Sequence, residues 1–375
     1  MIRTKYIRTI LFSALQRYKL ILLIFSLILF SSCYRYDWSG LQKVVTAIGH
    51  EYLRFSVLAI NLQGIHEGYG SDTASWEDRY GRIADWMATS GKKPDFIALQ
   101  EVHGLSGDVK SYDTLFTLIT KIKEKTSVSY RIAYLIVRPV PQGLRPTLWA
   151  GNALLYNPDR IENNTPISNI VPSNFDDESF LGWRLRKSLP CQDPSSQYQA
   201  LCSLIDGDGL GWISSYRSPD NNRWYAGPVF ARFQLKTAAG SHIHIYNVHV
   251  QYDAAVGQPI TYLNQFKNLS DGIELNYGSS RLYPPVVLGD FNIGEADILP
   301  HFTDFEIAGW SREVMGVLIG KQSKFPSKQQ ANVVEKLILP EDYEDPTGIY
   351  ACGHVGLVWS DHCAVFVQFS PISGN

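Results

Sequence analysis

Apolar positions gather in five short runs, each of which ends or begins on a few polar residues. The clearest is Pro285-Val-Val-Leu-Gly-Asp290-Phe-Asn292. Val286, Val287 and Leu288 form the continuous apolar stretch of a strand buried on both faces, and Gly289 frees the backbone just before an acid and an amide. The others are Ser56-Val-Leu-Ala-Ile-Asn61, Phe96-Ile-Ala-Leu-Gln100-Glu101, Ile243-His-Ile-Tyr-Asn247-Val-His249 and Ser360-Asp361-His362-Cys-Ala-Val-Phe-Val-Gln-Phe369. Each predicts a strand that brings a polar side chain to the edge of a core.

Between these runs the period changes. Tyr80, Ile83, Ala84 and Met87 recur at helical spacing, which predicts a helix over Trp76 to Thr89; further helices are expected from about Tyr112 to Lys125 and from about Ile260 to Glu274. Strands near Tyr130 to Val137 and Ala153 to Tyr156 follow the same reading. So do a hairpin of Phe230 to Leu235 and His242 to Val250 joined through Ala238-Ala239-Gly240, and strands at Val333 to Leu339 and Ala364 to Phe369. Residues from about 161 to 227, with Pro166, Pro172, Pro190, Pro194 and Pro219, read as a long irregular insert, and the stretch after Asn292 reads as a variable segment. Strands and helices mixed along the chain predict an α/β layered domain.

Composition supports a folded chain: of 375 residues, 45% are hydrophobic and only 19% charged, with no low-complexity tract. The first 32 residues stand apart. Arg3, Lys5, Arg8, Arg17 and Lys19 precede the apolar run from Ile21 to Phe30, and Ser31-Ser32 lead into Cys33. This resembles a bacterial lipoprotein signal, with Cys33 as the lipidated first residue of the mature protein; an uncleaved membrane anchor is the alternative, although the run is short of the ~20 residues a spanning helix needs. Residues 33–50 read as a tether and 51–375 as the catalytic domain, so the protein is expected to be exported and membrane-anchored, or secreted.

Removing residues 1–32 takes away five basic residues and no acids, leaving 29 Lys+Arg against 36 Asp+Glu and a net charge of -7. Bulk charge does not advertise a nucleic-acid binder, and it does not exclude one, because a metal ion and a local basic patch can offset the field at a site. Four cysteines besides Cys33 stand as two pairs, Cys191 with Cys202 and Cys352 with Cys363. Two local disulfides fit an oxidising compartment; four buried thiols are the alternative, and no short Cys-x-x-Cys spacing points to zinc.

Taken singly, a strand-end Glu101, a strand-end His249 or an Asp361-His362 turn has an ordinary structural explanation. The ordered set changes that. Asn61, Gln100-Glu101, Asn247-Val-His249, Gly289-Asp290-Phe-Asn292 and Ser360-Asp361-His362 resemble the endonuclease/exonuclease/phosphatase superfamily from about residue 53 to 369. The resemblance implies a DNase I-like four-layer sandwich of two packed mixed β-sheets flanked by helices. Gly151-Asn152-Ala-Leu-Leu-Tyr156 is similar to the family's middle strand, with Asn157-Pro158 where some nucleases carry a phosphate-contacting Arg before the Pro. Glu335, in Val333-Val-Glu335-Lys-Leu-Ile-Leu339, falls where the family carries an Asp that orients the final His.

The resemblance also implies roles. A phosphodiester repels nucleophiles, so a hard cation is wanted. Asn61 and Glu101 would hold a largely hydrated Mg²⁺, with Mn²⁺ or Ca²⁺ as alternatives, and Asp361 would bind metal or support His249. His362, alone or with Asp290, would take the proton from the attacking water, with Glu335 fixing its tautomer; His249 would serve the leaving oxygen, and Asn292 and Asn247 would donate to the phosphoryl group. A Cys352–Cys363 bridge would close the loop before His362.

Substrate is read two ways. Arg184, Arg186 and Lys187 suit a nucleic-acid backbone, while Trp212-Ile213 and Trp224-Tyr225 suit a lipid interface and a sphingomyelinase-like phospholipase C. A phosphoinositide phosphatase and a catalytically inactive binding lipoprotein are the further alternatives. No obligate protein partner is evident.

Overall fold

The computed structural model describes residues 51–62, 76–104, 111–139, 149–164, 212–217, 224–238, 240–249, 281–300, 302–311, 314–339 and 363–372. The leader 1–32, Cys33, the tether, most of the insert, Cys191, Cys202, Cys352, Asp361, His362 and the helix expected at 260–274 lie outside the described residues. All described residues but Glu51 belong to one compact unit, Tyr52–Asn375.

Thirteen strands among the described residues form two sheets. The first contains β1 (Phe55–Asn61), β2 (Phe96–Gly104), β3 (Arg131–Pro139), β4 (Trp149–Tyr156), β12 (Ala331–Leu339) and β13 (Ala364–Pro371), in the order β12-β13-β1-β2-β4-β3. The second contains β5 (Ile161–Asn163), β6 (Trp212–Arg217), β7 (Trp224–Leu235), β8 (His242–His249), β9 (Val286–Asp290), β10 (Phe305–Trp310) and β11 (Met315–Gly320), in the order β10-β11-β9-β8-β7-β5, with β6 on β7. Each sheet holds one parallel pair, β1 with β2 and β8 with β9, among antiparallel neighbours. The fold is an α/β sandwich of two packed mixed sheets.

Burial on both faces explains the continuous apolar runs. In β1, Val57 and Ala59 join the core between the sheets, where they meet Ile243, Ile245, Val286 and Leu288. Leu58 and Ile60 point the other way, toward α1 (Trp76–Thr89) and α2 (Ser111–Thr126), whose Tyr80, Ile83, Met87, Leu115, Leu118 and Ile122 complete the outer cluster. A fully buried Leu, Ile or Phe contributes ~1.5–3 kcal/mol, and a strand buried on both faces collects that at every position. On the outer face of the second sheet, the described residues supply the one-turn α3 (Glu295–Ile298) and a cluster around Phe291, Phe302, Phe305, Trp310 and Phe325.

Two expectations are corrected. The segment after Asn292 is not featureless: β10 and β11 extend the second sheet outward from β9. The insert expected at 161–227 also holds structure, since β5 and β6 both pair with β7, which begins at Trp224 rather than near Phe230. These strands are short and carry glycine or mixed polarity, so their pairing partners decide them more than their own pattern.

Candidate active site

Two parallel pairs with the same polarity bring the C-terminal ends of β1, β8 and β9 together with Gln100 and Glu101 of β2. Asn61 of β1 lies beside Gln100 of β2, and His249 of β8 lies beside Asp290 of β9. Across the sandwich, the Asn61 amide nitrogen donates to Asp290 Oδ2 at 2.8 Å and to Glu101 Oε1 at 3.2 Å. His249 Nε2 stands 3.7 Å from Glu101 Oε1 and 3.9 Å from Asp290 Oδ2. Asn61, Glu101, Asp290 and His249 therefore form one cluster, and Asn61 and Asp290 are almost wholly buried.

Glu101 reaches the cluster only because β2 breaks its alternation. Ile97 and Leu99 face the helices while Ala98 faces the other sheet, so regular pleating would put residue 101 on the helix side. The register with β4 steps from Leu99↔Ala153 to Val102↔Gly151, one residue more on β2, and Glu101 takes a φ of 50°. This bulge turns Glu101 back toward the gap between the sheets. A non-glycine residue held there costs on the order of 1–3 kcal/mol.

Asp290 is placed by its flanks. Gly289 has a φ of 141°, and a Cβ there would lie 2.0 Å from the Val248 carbonyl oxygen, so only glycine lets β9 run this close to β8. Beyond it, the Asn292 backbone N–H donates to Asp290 Oδ1 at 2.8 Å, and Asn292 itself has a φ of 52°. Phe291, buried among Phe302 and Trp310, anchors that turn. Arg79 of α1, which sequence patterning did not single out, donates to the carbonyl of Leu62 at 3.3 Å and steadies the chain just past Asn61.

Two expected roles change. Asn247 is spent inside the fold: its nitrogen donates to Leu99 O at 3.3 Å and Ala153 O at 3.0 Å, and its oxygen accepts from Gln100 Nε2 at 2.6 Å. Fully buried, it ties the sheets together and has no donor left for a phosphoryl group. Glu335 is an ion-pair partner of Lys92, which also lies over the Phe366 ring, and it stands well back along β12 from the cluster. It takes no part in the cluster of Asn61, Glu101, His249 and Asp290, and the His362 that it was expected to orient lies outside the described residues. Asn157 is also remote, at the other end of β4, where it accepts from Asp159 N and donates to Asp95 O.

The donor set suits a hard cation. Glu101 Oε2 is buried and has no hydrogen-bond partner, beside a second carboxylate that is itself fully buried. No group of three or more His, Cys, Asp and Glu side chains among the described residues is arranged to hold a metal. Two carboxylates with water completing the shell is nevertheless the ordinary manner of Mg²⁺. Asn61 presents its nitrogen to both acids. As it stands, it is a donor to the carboxylates; rotation of the amide would present its oxygen instead. Cys363, at the start of β13, is disulfide-bonded, with a partner outside the described residues.

No protein-family model matches this chain, and no curated protein sequence does. Among the solved structures that resemble it over most of its length are the following three. The human Nocturnin catalytic domain with bound sulfate matches with a TM-score of 0.47 and 15% identity, covering 85% of this chain and 94% of that one. D. rerio TDP2 complexed with a single-strand DNA product matches with a TM-score of 0.45 and 12% identity, over 84% and 99%. An endonuclease/exonuclease/phosphatase family protein from Bacteroides thetaiotaomicron is similar with a TM-score of 0.49 and 13% identity, over 85% of this chain and 98% of that one.

Proposed function

We propose that this protein is a divalent-metal-dependent hydrolase of phosphodiester bonds, of the endonuclease/exonuclease/phosphatase kind. The bare Glu101 Oε2 beside Asp290, in one cluster with Asn61 and His249, carries this reading. A buried carboxylate oxygen without a partner costs ~1–3 kcal/mol or more, a cost that a bound cation removes. Glu101 and Asp290 would hold the ion, with Asn61 bridging them, and Mg²⁺ bound there would offset charge on a phosphoryl oxygen. His249 Nε2 faces both carboxylates, so a proton carried on that nitrogen lies at the site and can pass to the leaving oxygen. Asn292, in the turn after Asp290, keeps its proposed role as a phosphoryl donor in this reading. His362 and Asp361 keep their proposed roles as water base and metal or His249 support.

Nucleic acid is the preferred substrate. Trp212 and Trp224, the candidates for lipid contact, lie opposite Phe230 and Arg217 in the pairing of β6 with β7. Val229 pairs with Asn247, so the strand from Trp224 to Ala226 runs past His249 at the end of β8, with Arg217 opposite Trp224. Arg184, Arg186 and Lys187 support this reading as cations suited to a phosphate backbone. A sphingomyelinase-like phospholipase C is the second reading, and it accords with the proposed lipid anchor at Cys33. No helix among the described residues is long and apolar enough to cross a membrane.

The test is nicking of supercoiled plasmid in Mg²⁺, with EDTA and His249→Ala as controls. Metal-dependent nicking that the variant loses is the expected result. Folded protein that leaves plasmid intact and hydrolyses sphingomyelin vesicles would move the assignment to phospholipid. Incorporation of labelled fatty acid, lost in Cys33→Ser, tests the anchor.

A further inference from the structure

Gln100 and Asn247 lie beneath the carboxylates, fully buried, where side chains of the two sheets are hydrogen-bonded across the core next to the site. Asn247 has no freedom of orientation. Its nitrogen faces two carbonyls, so its oxygen must face a donor, and Gln100 Nε2 is that donor at 2.6 Å. The two carbonyls it holds belong to Leu99 and Ala153, the last regular pair before the β2 bulge, and Gln100 is itself inside the bulge. Every bond of this unit therefore fixes the break in alternation that carries Glu101 to the site.

Gln100 gains little for itself. Its Oε1 is buried with no hydrogen-bond partner, so half of the amide is left unsatisfied where an apolar side chain would leave nothing unsatisfied. A residue kept only for packing has no reason to bear that cost. Gly289 adds a second sign of a built contact: a Cβ there would stand 3.1 Å from Gln100 Nε2, so the glycine that frees Asp290 also admits the latch.

We propose that Gln100 and Asn247 form an inter-sheet latch that holds Glu101 in its left-handed conformation and so sets the affinity of the site for a divalent cation. Both are positioning residues, and the inference rests on the metal-dependent reading given above. Without the latch, β2 can return to regular pleating, which withdraws the Glu101 carboxylate toward the helices and leaves Asp290 as the remaining carboxylate of the cluster.

The experiment measures Mg²⁺ and Mn²⁺ binding by calorimetry, and the melting temperature in EDTA, on the full chain. Wild type is compared with Gln100→Met, which fills the space, and Gln100→Leu, which is smaller; both lack the donor and add no charge. Partners that orient metal ligands are commonly worth about 10–100-fold in affinity. The expected result is a Kd raised about tenfold or more in both variants, with melting in EDTA within a few degrees of wild type and the rate recovering at saturating metal. Should Gln100→Met not fold, Gln100→Leu carries the test. A wild-type Kd in the folded variant, with or without a fall in melting temperature, would overturn the latch. Wild-type protein that binds neither ion would instead overturn the metal reading, and the latch with it.

Discussion

The two ends of the sandwich each bury a carboxylate at a strand end, and they treat it in opposite ways. At the far end, Asp95, just before β2, accepts from Ser56 N at 2.9 Å and Ser56 Oγ at 3.2 Å. Arg160 Nε lies 2.9 Å from its other oxygen, an ion pair with poor hydrogen-bond alignment. Nearby, Tyr130 donates to the Pro94 carbonyl, with its hydroxyl pushed well up by burial and then by the Asp95 charge. The protein thus supplies its own cation and hydroxyl, and the result is a structural joint. At the site end, Asp290 and Glu101 meet an amide, a backbone N–H and an imidazole, and one Glu101 oxygen is left bare. Burial of an acid is therefore not the mark of a site; leaving the charge to be completed from outside is.

The sharpest way to break this contrast is Glu101→Gln. It removes the bare oxygen's charge while keeping size and bulge, so the metal-dependent rate should fall by about three orders of magnitude, equal to about 4 kcal/mol. Melting in EDTA should hold or rise, because an uncompensated buried charge has gone. A variant that kept the wild-type rate and the wild-type thermal shift with Mg²⁺ would show that the carboxylate at the site end is as structural as Asp95.

Sequence patterning went far with the backbone and less far with this distinction. Trp76–Thr89 is helical over its whole predicted span, and β1 and β9 carry Asn61 and Asp290 to the predicted edge, because continuous apolar runs have one stable outcome between two layers. The bulge at Gln100 and Glu101 was not legible: strict alternation places Glu101 among the helices, and only a φ of 50° and the partner strand show otherwise. Asn247 looked free to donate because a strand-end amide reads as available until Leu99, Ala153 and Gln100 are brought to it from over 90 residues away. In both cases the deciding partner is distant in sequence, and no local period records it.

At the far end the contrast can be sharpened by pH. Burial lifts Asp95 from 3.8 to about 6, against the opposing pull of Arg160 and Ser56, so the fold prefers the protonated acid. Its stabilising contribution is whole below pH 3.8 and is lost as pH rises through 6. Asp95→Asn cannot titrate. From pH 4 to 7 the wild type should therefore lose up to about 3 kcal/mol relative to the variant, read as the difference in denaturant midpoints converted to free energy. A difference that stayed flat with pH would mean that Arg160 fully holds the charge. Arg160→Met should cost less, about 1–2 kcal/mol at pH 7, since its guanidinium is partly exposed and Asp95 can answer by taking a proton. Neither change should alter the rate per folded molecule.

The smallest effect is expected at Glu335, and it separates the two ends most cleanly. Glu335 pairs with Gln368 of β13, four residues back from Ala364, which itself pairs with Leu339 at the site end; at ~3.3 Å per residue that is about 13 Å of strand. Leu337, two residues on, packs in the cluster under α1 and α2, so Glu335 shares the helix-facing side of β12 and meets Lys92 there. Each side chain of the pair is about a third exposed, 28% and 30%, and such pairs contribute ~0–1 kcal/mol. Glu335→Gln should therefore leave the rate and its Mg²⁺ dependence at wild type and shift stability by no more than about 0.5 kcal/mol. If the rate instead fell tenfold with metal affinity unchanged, Glu335 would have to reach the site in the working enzyme, and the ion pair with Lys92 would be the state it leaves.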